Sequence, residues 1–370
     1  MRCIGLMSGT SLDGVDSVVA RWDADGSWRG VEAHVQQPFP SELRDALMAL
    51  QRSGPDELHR AALAANALAK AYSRAVEQLL ADTGLSAADI AAIGSHGQTV
   101  RHQPGLHDGI GYTCQLDNPA LLAERTGIAV IGDFRRRDVA AGGQGAPLVP
   151  PFHQAVFGRQ DAARAVVNIG GIANLTVLVP GAPPRGWDVG PGNVLMDGWI
   201  ARHQGLAYDA DGHWAAQGRV DAGLLAHLLS EPFLDLPPPK STGRDLFHAA
   251  WLDTALAAHG SPISPEDVQA TLCELSARTI AADVLRSTPA PSELLVCGGG
   301  ALNRRLMKRL QAALPQLSVA STAVAGLPPF QVEAAAFAWL AHQHLRGLPG
   351  NEPTVTGARG PRILGAFYPA

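Results

Sequence analysis

The chain has 370 residues, 46% of them hydrophobic, with 29 basic and 34 acidic side chains and a formal net charge of −5. That length predicts two domains, and the absence of a basic excess excludes nucleic acid as an expected partner. No stretch approaches the roughly 18 consecutive apolar residues of a membrane span, and four isolated cysteines (Cys3, Cys114, Cys273, Cys297) fit neither a disulfide framework nor a metal motif, so they read as reduced thiols of a cytoplasmic protein.

In chain order, Arg2 to Met7 is a short apolar strand, Ser8 to Gly14 a Gly/Ser/Thr/Asp turn, and Val15 to Trp22 a second strand. Leu58, Ala61, Ala65, Leu68, Tyr72, Val76 and Leu79 recur at three- and four-residue steps, which predicts a helix from about Asp56 to Asp82 with Gly84 as its C-terminal cap. Short buried strands are expected over Ile90 to Ile93 and Ile128 to Ile131. Each runs into a polar loop (Gly94 to Thr99 and Gly132 to Asp138), and loops at strand ends in open α/β sheets are where ligands bind. The Gly- and Pro-rich stretch Ala141 to Pro151 reads as an interdomain crossing.

The opening pattern then recurs: strand Ala165 to Ile169, turn Gly170-Gly171, strand Ile172 to Val179. Two strand–turn–strand units suggest a duplication. A helix is expected over Val194 to His203, with Asn193 able to cap it. Further on come a stiff polar loop at Pro237 to Asp245, a helix at Asp267 to Arg286 and a buried strand at Glu293 to Cys297. Gly298-Gly299-Gly300 leads into a helix from Asn303, and Gln331 to Leu345 forms a last Ala-rich helix before an irregular tail.

Several segments are chemically suggestive. In SGTSLDGVD (8–16), small residues let backbone N–H groups approach an anion, and the same residues also make an ordinary polar hairpin. There is no Walker A sequence, so any phosphate site must be built from glycine hairpins. Asp188 precedes the Val194 helix, where the helix dipole favours an ionised carboxylate; it is a candidate general base or simply an acid satisfying its own turn. His96 and His102 lack a third ligand at zinc spacing and either touch substrate or pack in their loop. Arg135-Arg136-Arg137 either grips a carboxylate or forms a solvated face.

Together these segments are more specific than any one. GLMSGTSLDGVD (5–16), SHGQT (95–99), GDFRRRDVAAGGQGAPLVP (132–150), NIGGIAN (168–174), DVGPGN (188–193), KSTGRD (240–245), CGGGALN (297–303) and EAAAFAWLA (333–341) follow one another as in the anhydro-N-acetylmuramic acid kinases. The chain resembles that family over nearly its whole length.

The resemblance implies an α/β, two-lobed actin-like ATPase (ribonuclease H-like) fold with duplicated lobes and ATP in an interlobe cleft. The expected first lobe is 1–140, with 345–370 packing back onto it, and the second is 141–344. The first phosphate loop would comprise Gly9, Thr10, Ser11, Leu12, Asp13, Gly14, Val15 and Asp16. Asn168, Gly170 and Gly171 would form the second, with Gly298, Gly299 and Gly300 near adenosine. Thr99, Arg135, Arg136 and Glu333 would contact the sugar, and Asp188 would be the base. The implied reaction is ATP-dependent opening and O6 phosphorylation of 1,6-anhydro-N-acetylmuramic acid in cell-wall recycling, and a homodimer is implied. Many members of the wider superfamily carry an Asp at the start of the first phosphate turn to hold hydrated Mg²⁺. Met7 and Ser8 stand there instead, so Mg²⁺ is expected to bind through ATP and water, with no protein ligand assigned.

Overall fold

The computed structural model describes every residue except Thr10, Ser11, Pro239 and Arg244. Its strands, in chain order, are β1 (Arg2–Met7), β2 (Gly14–Trp22), β3 (Trp28–Pro38), β4 (Ala92–Ser95), β5 (Gln98–Pro104), β6 (Gly111–Leu116), β7 (Val130–Gly132), β8 (Arg164–Ile169), β9 (Ile172–Leu178), β10 (Arg185–Pro191), β11 (Glu293–Cys297), β12 (Ser318–Ser321) and β13 (Ala366–Tyr368). The chain divides into two compact units: Met1–Val156 with Phe330–Ala370, and Phe157–Pro329. The sequence expectation drew this division at 140/141 and gave the last long helix to the second lobe. In the structure, residues 141–156 and 330–344 belong to the first unit instead.

The first unit is built on a six-stranded sheet in the order β13-β7-β4-β1-β2-β3. Strands β1, β4 and β7 run parallel, so Ser8, His96 and Asp133 leave the sheet at the same end. The helix Glu57–Thr83 buries Leu68, Tyr72, Val76 and Leu79 and ends at Gly84, whose φ of 68° is the left-handed conformation a C-terminal cap needs. The helix Val332–Leu345 lies against β1, β2 and β4. It can approach so closely because the facing strand residues are glycines. A Cβ on Gly5 would come 2.6 Å from Ala338 N, and one on Gly94 would come 2.8 Å from Phe337 C.

The tail is more regular than its composition predicts. Asn351 Nδ2 and Thr356 Oγ1 both donate to Asp138 Oδ1, at 2.6 and 2.8 Å, and β13 pairs with β7. The region after β7, expected as a polar loop, contains the short helix Arg136–Ala140. Proline and glycine counts do not register such long-range tethers.

The second unit has a five-stranded sheet in the order β10-β9-β8-β11-β12, with β8, β11 and β12 parallel and β8-β9-β10 an antiparallel meander. The helix Pro265–Ser287 is its spine. Ser264 caps it by accepting from Asp267 N, and Leu272, Leu275, Ile280 and Val284 are buried in the core beside Trp187, Trp199 and Phe247. Among the described residues, no helix is long and apolar enough to cross a membrane.

Candidate functional site

In the first unit, the turn between β1 and β2 is held from beneath. Ser8 Oγ lies 2.7 Å from the Tyr72 hydroxyl and donates to Gly97 O at 3.2 Å, while Gln98 Nε2 donates to Gly9 O at 3.1 Å. Leu12 adopts φ 58° and puts its side chain in the core, as does Val15. The backbone O of Asp13 accepts from Phe39 N. Gly14, Val15 and Asp16 of the expected phosphate loop are already part of β2. Thr10 and Ser11 lie outside the described residues. His34 Nε2 sits 3.1 Å from Asp16 Oδ1.

Beside this turn lies a cluster of charged and polar groups. Arg135 donates from Nη1 to Gly145 O at 2.8 Å, and its Nε and Nη2 lie 3.2 and 3.0 Å from His96 Nε2. Burial, with Arg135 next to it, holds the His96 imidazole well below its usual range, so it is neutral and accepts the arginine's hydrogens. Burial also pulls the Arg135 guanidinium down to about 10, against the opposing pull of Glu333 and Asp138. Glu333 stands in the first turn of its helix, its carboxyl raised by burial and by Asp16 and partly relieved by Arg135. Arg136 is the more exposed arginine; it donates to Thr113 O at 3.4 Å and faces Asp133 Oδ2 at 3.6 Å.

The β5–β6 hairpin adds a polar row. Gln115 Nε2 donates to Thr99 Oγ1 at 3.1 Å and to Thr113 Oγ1 at 2.8 Å, and His102 Nδ1 is 2.9 Å from Thr113 Oγ1. Thr99, Arg136, His102 and Gln115 therefore share one surface. Sequence reasoning did not single out Gln115 or Asp117. The Asp117 carboxyl is pushed up to about 6 by burial although Ser95 Oγ donates to it at 2.6 Å. Asp117 follows β6 directly, a strand seen only in the structure.

In the second unit, three glycine segments converge. The β8–β9 turn at Gly170-Gly171 accepts backbone bonds from Gly192, Asn193 and Val194. A Cβ on Gly192 would run into Gly170 O, one on Gly300 would sit 2.5 Å from Ile169 Cβ, and one on Gly298 would sit 2.8 Å from Ile169 O. Gly298 also has φ 75°, so both its conformation and its surroundings require glycine. Gly299 faces Asn193 Nδ2. Asn193 does not cap the following helix as the sequence suggested; its side chain donates to Ile169 O at 3.2 Å and ties the segments together.

Asp188 on β10, Asn174 on β9 and Asn168 on β8 are direct cross-strand partners. Directly opposed residues present their side chains on one face, and all three are half-buried while their strand neighbours Val167, Ala173 and Trp187 are buried. Asp188 Oδ2 accepts from Ser241 Oγ at 2.8 Å and from Thr242 N at 3.1 Å. Burial raises its carboxyl above the usual range and these two donors hold it back. Burial thus works against the ionised form of Asp188, and the Ser241 and Thr242 donors work for it. Among the described residues, no group of three or more His, Cys, Asp or Glu side chains is disposed to hold a metal ion.

A family profile for anhydro-N-acetylmuramic acid kinase matches residues 1–370. The chain is 57% identical over 371 residues to the anhydro-N-acetylmuramic acid kinase of Cupriavidus pinatubonensis, covering 100% of this chain and 98% of the relative. It is 58% identical over 373 residues to that of Variovorax paradoxus, covering 99% and 98%. Among solved structures it is similar to the activator of the 2-hydroxyisocaproyl-CoA dehydratase from Clostridium difficile with bound ADPNP, at 13% identity and a TM-score of 0.48 over 94% of this chain and 96% of that one. With a family match over its full length and relatives this similar throughout, the chain belongs to the anhydro-N-acetylmuramic acid kinase family.

Proposed function

We propose that this chain uses ATP to open 1,6-anhydro-N-acetylmuramic acid and phosphorylate it at O6, and that Asp188 is the base. The chemistry sets the requirements. In the substrate O6 is tied to C1, so no free 6-hydroxyl exists to attack ATP. Water adds to C1 and gives its proton to Asp188. The C1–O6 bond breaks, and O6 takes the γ-phosphoryl group as ADP leaves. ATP, water and the anhydro sugar thus become ADP and N-acetylmuramic acid 6-phosphate, a step of cell-wall recycling.

The observation that carries the reading is the Asp188 carboxylate. Both of its described donors reach Oδ2, which leaves Oδ1 to accept from water. A raised carboxyl is also a stronger base than an ordinary one once ionised. The glycine segments at Gly170-Gly171 and Gly298–Gly300 supply close backbone approach for nucleotide. Thr99, Arg135, Arg136 and Glu333 bind the sugar, and Arg136, the more exposed of the two arginines, meets its lactyl carboxylate while Arg135 is tied to His96 and Gly145.

Mg²⁺ would arrive with ATP and keep most of its water. Bound there, the ion would neutralise phosphate charge. A cytoplasmic homodimer completes the proposal by family likeness.

The test is Asp188→Asn. ATP affinity should stay within a few-fold while kcat falls by about 10²–10⁴; near-normal turnover removes Asp188 from the role. In H₂¹⁸O the label should enter at C1 of the product, and unlabelled product would reject ring opening by water.

A further inference from the structure

We infer that the segment Lys240–Thr242 is a positioning clamp for Asp188, with Ser241 as the residue that tunes it and Lys240 as the anchor. The inference rests on Asp188 being the base, and it assigns a role to a loop whose sequence announces only stiffness and polarity.

The clamp closes around β10 from both backbone and side chains. Asp188 N donates to Lys240 O at 3.1 Å, while its carboxylate accepts from the next two residues, Ser241 and Thr242. One short run of chain therefore fixes both ends of the same aspartate. The Lys240 side chain is 2% exposed; it donates to Leu234 O at 3.0 Å, faces Asp283 Oδ2 at 3.4 Å, and lies 5.1 Å above the Phe233 ring. Asp283 Oδ2 also accepts from Trp187 Nε1 at 3.0 Å. Trp187 is the residue directly before Asp188, so Lys240, Asp283 and Trp187 complete a ring that fixes the loop against the strand carrying the base.

A loop lysine has no packing reason to be buried. Solvent exposure is the default for an ammonium, and burial is tolerated when a carboxylate and a carbonyl meet it, as they do here. The charged groups around this ring are Lys240, Asp283, Arg286 and Asp235. None of them hydrogen-bonds to Asp188, whose carboxyl is raised by burial and lowered by the two loop donors. Ser241 itself is exposed, which makes its loss a clean deletion of one hydrogen bond with no buried hole left behind.

The experiment is the pH dependence of kcat for the full-length enzyme at saturating ATP and anhydro sugar, measured for wild type, Ser241→Ala, Ser241→Thr and Asp188→Asn. Removing a donor to the carboxylate favours its protonated form. Because the base works when ionised, activity is lost as pH falls through its pKa. Ser241→Ala should therefore shift the acidic limb upward by about one pH unit, while turnover well above the limb stays within a few-fold. Ser241→Thr keeps the hydroxyl and should restore the wild-type limb. An inactive Asp188→Asn together with an unmoved limb in Ser241→Ala overturns the clamp and leaves the base assignment standing. A uniform loss of kcat at every pH also overturns it, because that is the signature of a merely structural role. Normal turnover by Asp188→Asn overturns the base assignment and the clamp with it.

Discussion

Gly5→Ala tests whether the close contact of strand and helix in the first unit is what holds Glu333 in place. The added Cβ would sit 2.6 Å from Ala338 N and 2.9 Å from Ala334 C, and nearer still to Ala334 O. These are backbone atoms of the helix Val332–Leu345, so no rotamer change can relieve the overlap. Carbon and nitrogen need roughly 3.5 Å between them, so the helix must retreat by close to an ångström or the strand must bow. Overpacking of this kind costs about 1–3 kcal/mol, and a purely backbone obstacle belongs at the upper end. For a unit of this size each kcal/mol is worth about 2–4 °C, so Tm should fall by about 6–12 °C. Glu333 lies one residue before Ala334, at the first turn of the displaced helix. The KM for sugar should therefore rise by an order of magnitude while that for ATP changes less. Differential scanning calorimetry and steady-state kinetics read both effects. Gly198→Ala is the control: it lies inside the helix Val194–Gln204 and its would-be Cβ meets no described atom within 4 Å beyond its chain neighbours and the helix's own backbone, so alanine should add about 0.5–1 kcal/mol of stability. A Gly5→Ala protein with unchanged Tm and unchanged sugar KM would refute the argument.

Two further outcomes follow from the first unit. Arg136→Ala should raise the KM for anhydro sugar by about 10–100-fold, the worth of a charge-assisted hydrogen bond to a carboxylate, with ATP KM unaffected; competition by a sugar lacking the lactyl carboxylate, equal for both proteins, checks the partner. Asp117→Asn should stabilise the protein at high pH. The folded carboxyl titrates near 6, above its unfolded value, because burial penalises its charge. Its contribution is therefore fully present below about pH 4 and is lost as pH rises through 6. The Tm advantage of the variant over wild type should be larger at pH 8 than at pH 5, with an upper bound of about 3 kcal/mol; an advantage that shrinks with rising pH would contradict the sign.

Much of the frame was legible because it depends on local signals. Periodic apolar residues and Gly84 marked the long helix, now Glu57–Thr83, and short runs of apolar or β-forming residues marked β1, β2, β8 and β11. Three kinds of feature were not legible. The hairpin β5–β6 and the long edge strand β3 mix polar and apolar residues without clean alternation, since each has a solvent-facing side. The tail 346–370 reads as irregular because its order comes from Asp138 and β7, more than two hundred residues away in sequence. Asn193 has the chemistry of a helix cap, but its φ and ψ of −89° and −18° are helical, and its amide is drawn to Ile169 O by the turn beside it.

The glycines show why the motifs could be found before their reasons. Gly298 and Gly300 read as permission for a ligand to approach, yet each is also fixed by the protein's own packing, as is Gly192. Gly192 abuts the Gly170 carbonyl, and Gly298 and Gly300 abut Ile169. A side chain at any of these three places would force the segments apart before any nucleotide arrived. Close ligand approach and close self-packing thus demand the same residue, and sequence alone cannot separate them. The two demands do differ at Gly299, whose would-be Cβ meets only Asn193 Nδ2 at 3.6 Å. Among the described residues, packing thus asks for glycine at Gly298 and Gly300 and leaves ordinary van der Waals room at Gly299.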